Sequence, residues 1–348
     1  MYKILDCTIR DGGYVNNWHF KNEFVRELYK ANLESGVDVM EIGFRRTPDA
    51  DINNYGKWYY TTENLITETL GDLYDERCKL ALMCQIDTFK VEDFVPRKNS
   101  LVSMVRVLWA YHSENKNDKV LNVKDFPKIK EQLNGLRDLG YDLSFNIGRV
   151  DKMSMEQISD LINFINTTPI SMFYIADTYG HLDLKLTESY LKFIKDNLNP
   201  HIELGFHAHN NLNNSTAKTL LSLNYGVSIV DGTTFGYGRG SGNAFLELLI
   251  SNKIQNKIDV NTNIIPLLEF IDQHIVDYKT QNKFGYGYNI IFLLSGLYSM
   301  HVNYAIEIIE KTEKMSVGKV WKIFRKIIDH NHHNYYNSKL ITTYLGDH

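Results

Sequence analysis

Three cysteines in 348 residues suggest no disulfide framework. Cys7, Cys78 and Cys84 read as buried thiols of a reducing cytoplasm, the last two on one face of an apolar run. Basic charge is also scarce. The 38 Lys and Arg against 42 Asp and Glu leave a net charge of −4, which offers no cationic surface to nucleic acid or an anionic membrane. The short basic stretch at 319–326 reads as a solvated helix face. No apolar run is long enough to span a bilayer. Residues 290–300 come nearest, at about half the required length, and carry Ser295 and Gly296. The opening Tyr2-Lys3-Ile4-Leu5-Asp6 has a strand pattern rather than that of a secretory leader. What the chain does have is 43% apolar residues. Its length suits a barrel of roughly 250 residues plus an appendage.

Strand-like runs alternate with helix-like ones eight times. The runs are 3–9, 37–44, 79–85, 101–109, 141–147, 171–176, 202–207 and 227–232. Between them, stretches such as 21–34, 124–139, 155–166, 186–197 and 213–223 repeat their apolar residues at the helical period. Glycine stops precede several strands, as in Ser35-Gly36-Val37 and Leu139-Gly140-Tyr141. Eight β-then-α units predict an α/β fold, a parallel (β/α)8 TIM barrel over residues 1–258. A doubly wound open sheet is the competing architecture. Residues 259–348 lose the alternation and read as a C-terminal α-helical extension, with helices expected at 264–278, 290–300, 304–311 and 317–328.

In such a barrel the chemistry sits at the carboxyl ends of the strands. Two distant segments converge there. Asp6-Cys7-Thr8-Ile9-Arg10-Asp11-Gly12-Gly13 closes strand one, and Gly205-Phe206-His207-Ala208-His209-Asn210 closes strand seven. Two imidazoles at i and i+2 share a face of a strand. Closing the barrel brings strands one and seven within roughly 10 Å, with strand eight between them. Asp11, His207 and His209 then form a carboxylate-plus-imidazole set for a divalent ion with open positions. A hydrogen-bonded polar cluster is the plainer reading of the same residues. Glu41, flanked by apolar residues in strand two, needs a buried partner, and Arg10 is the evident one. Asn146, Asp177 and Thr178 end strands five and six and are placed with a substrate; Asp177-Thr178 also fits a helix cap. The loop Gly236-Tyr237-Gly238-Arg239-Gly240-Ser241-Gly242-Asn243 lacks a Walker ending and reads better as a carrier of Asn243 to the mouth than as a phosphate cradle.

Taken together, Arg10-Asp11-Gly12, Glu41, His207-Ala208-His209-Asn210 and Gly238-Arg239-Gly240-Ser241-Gly242-Asn243 resemble the metallolyase barrel superfamily. That group includes hydroxymethylglutaryl-CoA lyase, isopropylmalate synthase and 4-hydroxy-2-oxovalerate aldolase. The pattern is most similar to the aldolase branch, in a subgroup that carries Phe284-Gly285-Tyr286-Gly287-Tyr288 and Leu294-Ser295-Gly296-Leu297-Tyr298. The resemblance implies Asp11, His207 and His209 as metal ligands, Asn243 as a further ligand, and Arg10 as the partner of an enolate. Mn²⁺ or Mg²⁺ is the implied ion, with Co²⁺ or Zn²⁺ as substitutes. Where the pyruvate aldolases carry a catalytic His, this chain has Tyr14, a weak base at neutral pH. His19, Tyr286 and Tyr288 are the alternatives for the proton.

The expectation is a class II, metal-dependent aldolase that cleaves or forms a 4-hydroxy-2-oxo acid through a pyruvate enolate, with a 2-oxo acid and an aldehyde as its small-molecule partners. Glu41 would orient Arg10 or relay protons, and Tyr14 would contact the aldehyde portion. An acyl-CoA Claisen-type lyase or synthase, and a non-catalytic metal-binding barrel, are the alternatives. The resemblance also implies a homo-oligomer and an aldehyde-consuming dehydrogenase as partner.

Overall fold

The computed structural model describes residues 2–49, 52–110, 123–275, 287, 289–311, 315–330, 332–333 and 336–346. Eight parallel strands close into a barrel in chain order. They are β1 (Lys3–Asp6), β2 (Val39–Phe44), β3 (Lys79–Gln85), β4 (Val102–Ala110), β5 (Asp142–Gly148), β6 (Met172–Asp177), β7 (Glu203–Ala208) and β8 (Val227–Gly232). The ring is sealed where β1 pairs with β8, from Lys3↔Ile229 to Asp6↔Gly232. The open sheet is therefore excluded.

Side chains alternate along a strand, so every second residue enters the barrel. Leu5, Cys7, Val39, Ala81, Met172, Tyr174 and Ile229 pack together as an inner plug. Two residues beyond Val39, Met104 and Ile229 stand Glu41, Arg106 and Asp231, all buried. The floor of the mouth is thus charged, above an apolar plug.

One expected strand is shorter than its sequence pattern. Residues 3–9 read as extended, yet the chain turns into helix α1 (Thr8–Asn16) after β1. The buried Asp6 carboxylate causes the turn. It accepts the backbone N–H of Thr8 at 2.9 Å and the Thr8 hydroxyl, while Asn32 Nδ2 donates to its other oxygen at 2.7 Å. Burial pushes Asp6 up to about 6 despite these donors. The Cys7 carbonyl then accepts the Asp11 N–H at 2.8 Å, which starts the helix. Arg10 and Asp11 therefore stand on a rigid first turn. Gly12 and Gly13 lie under aromatic rings; a Cβ on Gly13 would run into the Trp18 indole, and one on Gly12 into Tyr237.

The C-terminal part forms two layers. Ile265–Phe270, continued by a π-helical turn at Ile271–Ile275, joins the barrel core through Leu267, Phe270, Ile271 and Ile275. Phe270 packs edge-on to Phe24 of α2 (Asn22–Ser35) at 5.2 Å. Of the expected helix 264–278, the last three residues lie outside the described residues. The helices Ile290–Leu297, Asn303–Lys311, Val317–Asp329 and Ser338–Gly346 build a second core around Phe292, Tyr304, Ile308, Phe324 and Ile327.

This second core sits over the barrel mouth. Arg239 donates to Asn303 Oδ1 at 2.7 Å, Asn211 Nδ2 to the Phe292 carbonyl at 3.3 Å and to Ser295 Oγ at 3.2 Å. His181 Nδ1 meets the Gly296 carbonyl at 2.8 Å. Among the described residues no helix is long and apolar enough to cross a membrane.

Overpacking a tight core site costs about 1–3 kcal/mol. Gly13→Ala is accordingly expected to lower the melting temperature in differential scanning calorimetry; an unchanged melting curve would mean that Trp18 can step aside.

Candidate active site and metal centre

Asp11, His207 and His209 come together at the mouth. Asp11 Oδ2 lies 3.7 Å from His207 Nε2 and 3.8 Å from His209 Nε2, and all three residues are buried. Donors about 2.1 Å from a common ion are roughly 3 Å apart at right angles and about 4 Å apart at opposite poles. The observed spacings fall between these limits. His207 Nε2 is moreover buried with no hydrogen-bond partner, as is Asn243 Oδ1. Burial drives His209 down to about 3, so its imidazole is neutral. Although burial opposes charge on Asp11, His209 and Arg10 hold its carboxyl well below the usual carboxylate range. At neutral pH the cluster therefore offers an ionised carboxylate and lone pairs, the set that suits Mg²⁺ or Mn²⁺.

The residues behind the cluster fix its geometry. His207 Nδ1 bonds Asp231 Oδ2 at 3.0 Å, leaving Nε2 to face Asp11. This is the carboxylate–imidazole device that orients metal-bound histidines. Arg106 donates to the same Asp231 oxygen at 2.7 Å and pairs with Glu41 Oε2 at 3.0 Å. Arg10 Nε donates to Glu41 Oε2 at 2.7 Å and Arg10 Nη1 to Asp11 Oδ2 at 2.6 Å. Cys7, His207 and Asp231 form a second trio of metal-ligand type. It is a poor site, because burial pushes the Cys7 thiol far up and His207 Nδ1 is already engaged.

The glycine-rich loop works as a clamp on Asp11. Arg239 N–H donates to Asp11 Oδ1 at 3.1 Å and Asn243 Nδ2 donates to it at 3.0 Å. A Cβ at Gly238 would lie 2.8 Å from Asp11 Oδ1 and inside Asn243, so only glycine admits this approach.

A cavity of about 130 Å³ opens on the cluster, lined by Arg10, Asp11, Asn146, Arg149, Thr178 and His301 among others. Several expected residues are placed differently. Asp177 does not line it. Period two puts Ala176 and Thr178 on the cavity side and turns Asp177 outward, where its buried carboxylate pairs with Lys218 and accepts the His181 N–H at 2.9 Å. Burial raises Asp177, against the pull of Lys218. His19 is exposed and lines no part of the cavity, because left-handed turns at Asn17 and Trp18 carry it away. Tyr14 lines the cavity, 39% exposed, with the Arg239 guanidinium 5.1 Å from its ring centre. Desolvation raises its phenol, against the pull of Arg239 and Arg10. Glu41 lies beneath Arg10, away from the cavity lining, with its Oε2 on Arg10 Nε. Tyr286 and Tyr288 lie outside the described residues. Asp231 and His301 escaped the sequence reading altogether.

A closed (β/α)8 barrel with carboxylate and paired imidazoles at its carboxyl-terminal mouth is an architecture suited to metal-assisted enzyme chemistry. The family model described as HMGL-like matches residues 1–273, and the chain belongs to that family. Its relatives include a 4-hydroxy-2-oxovalerate aldolase of Geobacillus genomosp. 3, 25% identical over 277 residues, covering 79% of this chain and 77% of that protein. A 4-hydroxy-2-oxovalerate aldolase of Roseiflexus castenholzii is 25% identical over 262 residues, 75% of this chain and 73% of the relative. Among solved structures, the N-terminal domain of a proposed aldolase from Bacteroides vulgatus superposes with a TM-score of 0.70 at 22% identity, over 89% of this chain and 97% of that one. The HMG-CoA lyase of Bacillus subtilis gives 0.62 at 17% identity, over 79% and 93%. These neighbours share the fold. The family places the chain among aldolases and lyases that act on carbon–carbon bonds.

Titration calorimetry with MnCl₂ tests the cluster. Asp11→Asn and His207→Ala are expected to abolish tight binding, and Asp231→Asn, which leaves the three ligands in place but weakens the hold on His207 and the pairing with Arg106, to weaken it about 10–100-fold. Unchanged affinity in all three variants would put the ion elsewhere.

Proposed function

We propose that the protein is a divalent-metal-dependent aldolase that cleaves or forms a 4-hydroxy-2-oxo acid through a pyruvate enolate. The observation that carries this reading is the charge of the buried network. Glu41, Asp11 and Asp231 face Arg10 and Arg106 within one set of contacts, an excess of one negative charge. A buried excess charge is costly unless it is paired. A divalent cation at Asp11 offsets this excess, and Arg149 and Arg239, which line the same cavity, favour an anionic partner such as the carboxylate of a 2-oxo acid.

Asp11, His207 and His209, with Asn243 as a further ligand, would hold the ion, Mn²⁺ or Mg²⁺. When bound it supplies Lewis-acid polarisation of the substrate carbonyl. The rest falls to the chain itself. Arg10 uses Nε and Nη1 on Glu41 and Asp11, and its remaining N–H groups belong to a guanidinium that lines the cavity. They stabilise the oxygen that gains charge as an enolate forms. Such preorganised donors are among the largest catalytic contributions. Glu41, itself pinned by Arg106, holds Arg10 in place. Asn146 and Thr178 bound the substrate. Where the sequence left the proton to His19, Tyr286 or Tyr288, the cavity is lined by His301 from the extension, whose Nδ1 accepts the Asn303 N–H at 3.3 Å. That leaves the ring N–H on Nε2, where it hydrogen-bonds the aldehyde oxygen in condensation or the 4-hydroxyl oxygen in cleavage, the proton itself being exchanged with solvent.

A cavity of about 130 Å³ is small beside the roughly 300–1,000 Å³ of sites for drug-sized ligands. That supports a short keto acid over an acyl-CoA. The division into a barrel of residues 1–258 and an extension of 259–348 that roofs the site, a homo-oligomeric state, cytoplasmic location and a dehydrogenase consuming the aldehyde belong to the same proposal.

The test is metal-dependent exchange of the pyruvate C3 protons in D₂O, followed by NMR. Exchange is expected with Mn²⁺ or Mg²⁺, to vanish with EDTA, and to fall about 10²–10³-fold in Arg10→Ala. Full activity after exhaustive chelation would contradict the reading. Exchange of acetyl-CoA methyl protons without exchange of pyruvate would favour the Claisen alternative, and no exchange of either the non-catalytic one.

A further inference from the structure

A second cavity, of about 310 Å³, adjoins the first. The two share Tyr14 and Arg239 as a common wall. The stacked pair His301 and Tyr336, 5.7 Å apart, forms another part of that wall, with His301 facing the catalytic cavity and Tyr336 the second one. Tyr14 stands where the resemblance leads one to expect a catalytic histidine, so the point of departure from the aldolase pattern is also part of the wall between the chambers.

The linings of the second chamber indicate its ligand. One side is aromatic, with Trp18, Tyr55 and Tyr59 packed on one another at centroid distances of 4.3–5.8 Å. The other side comes from the extension and carries Glu307, Glu310 and Asn303. Glu307 is held by the Tyr336 hydroxyl at 2.5 Å and by Lys311 at 2.5 Å, whereas no contact of the Glu310 carboxylate is found among the described residues. Arg239 in the shared wall and Lys311 on Glu307 offset the two glutamates, so the lining is close to charge balance and does not select a cation or a phosphate. Aromatic faces opposite carboxylate and amide acceptors suit a neutral, hydroxyl-rich chain, whose C–H surface lies on the rings while its O–H groups donate across. A one- or two-carbon aldehyde would leave this space unused.

We propose that this chamber is the acceptor subsite and that the aldehyde partner is an uncharged polyhydroxylated, sugar-like aldehyde. The inference rests on the aldolase reading above and assigns its unknown substrate half. The keto acid occupies the smaller cavity beside Asp11, and the hydroxylated chain extends past Tyr14 and Arg239 into the larger one. In condensation pyruvate C3 releases a proton to solvent as the enolate forms, C3 bonds to the aldehyde carbon, the C=O π pair moves to oxygen, and that oxygen takes up a proton from solvent; cleavage is the reverse.

The Mn²⁺-loaded protein is assayed with pyruvate and a panel of aldehydes: acetaldehyde, glyceraldehyde, erythrose and glyceraldehyde 3-phosphate. The expected order of kcat/KM puts the neutral hydroxylated aldehydes at least tenfold ahead of acetaldehyde and of the phosphorylated one. Ile306→Trp, which fills the chamber, and Glu310→Gln should each reduce kcat/KM for erythrose at least tenfold while leaving pyruvate C3 exchange and the acetaldehyde reaction unchanged. Both positions lie on the extension, away from the metal cluster. Equal use of acetaldehyde and erythrose, or equal losses with both in Ile306→Trp, overturns this inference alone. Absence of wild-type C3 exchange overturns the aldolase reading and this inference with it.

Discussion

Everything at the mouth of this barrel depends on Glu41. One oxygen of its fully buried carboxylate receives Arg10 at 2.7 Å and Arg106 at 3.0 Å. From Arg10 the chain of contacts runs to Asp11, and from Arg106 through Asp231 to His207. Both arms therefore end on candidate metal ligands, and one strand-two acid sets the distance between a helix-borne carboxylate and a strand-seven imidazole. Burying five charged side chains is costly, and only mutual pairing makes it tolerable. The payoff is rigidity at the one place where charge has to develop during chemistry.

Much of this was legible in the sequence, and the reasons are local. The β/α alternation announced the barrel because it is set by short-range period. Asp11, His207 and His209 could be joined because closure makes strands one and seven near neighbours. The same period-two logic would have found Asp231, two residues beyond the inward-facing Ile229, had its apolar neighbours not disguised it. It would also have turned Asp177 away from the cavity, since Ala176 and Thr178 hold the inward positions. Strand one ended early for a reason that lies in tertiary contacts, the Asp6 carboxylate with Thr8 and Asn32. His301 was beyond local reading. It enters the site only because the helical extension folds back over the mouth, a placement fixed by contacts such as Arg239 with Asn303.

The extension accordingly changes what the barrel can do. The strands supply Glu41, Arg106, His207 and Asp231, and the first helical turn supplies Arg10 and Asp11: the parts needed to bind an ion and stabilise an enolate. The roof supplies His301 and the acidic side of the second chamber. In the proposed reading, chemistry common to the family would rest on the barrel, while the choice of partner would be shared between the aromatic wall of Trp18, Tyr55 and Tyr59 and residues past position 300.

The claim beneath all of this is that one divalent ion is shared by Asp11, His207 and His209. Anomalous diffraction at the manganese edge, from crystals grown with Mn²⁺ and pyruvate, addresses it directly. The account predicts a single peak about 2.0–2.3 Å from Asp11 Oδ2 and both Nε2 atoms, with pyruvate density beside Arg10. A peak at Cys7 and Asp231 instead, or none at millimolar Mn²⁺, would contradict it.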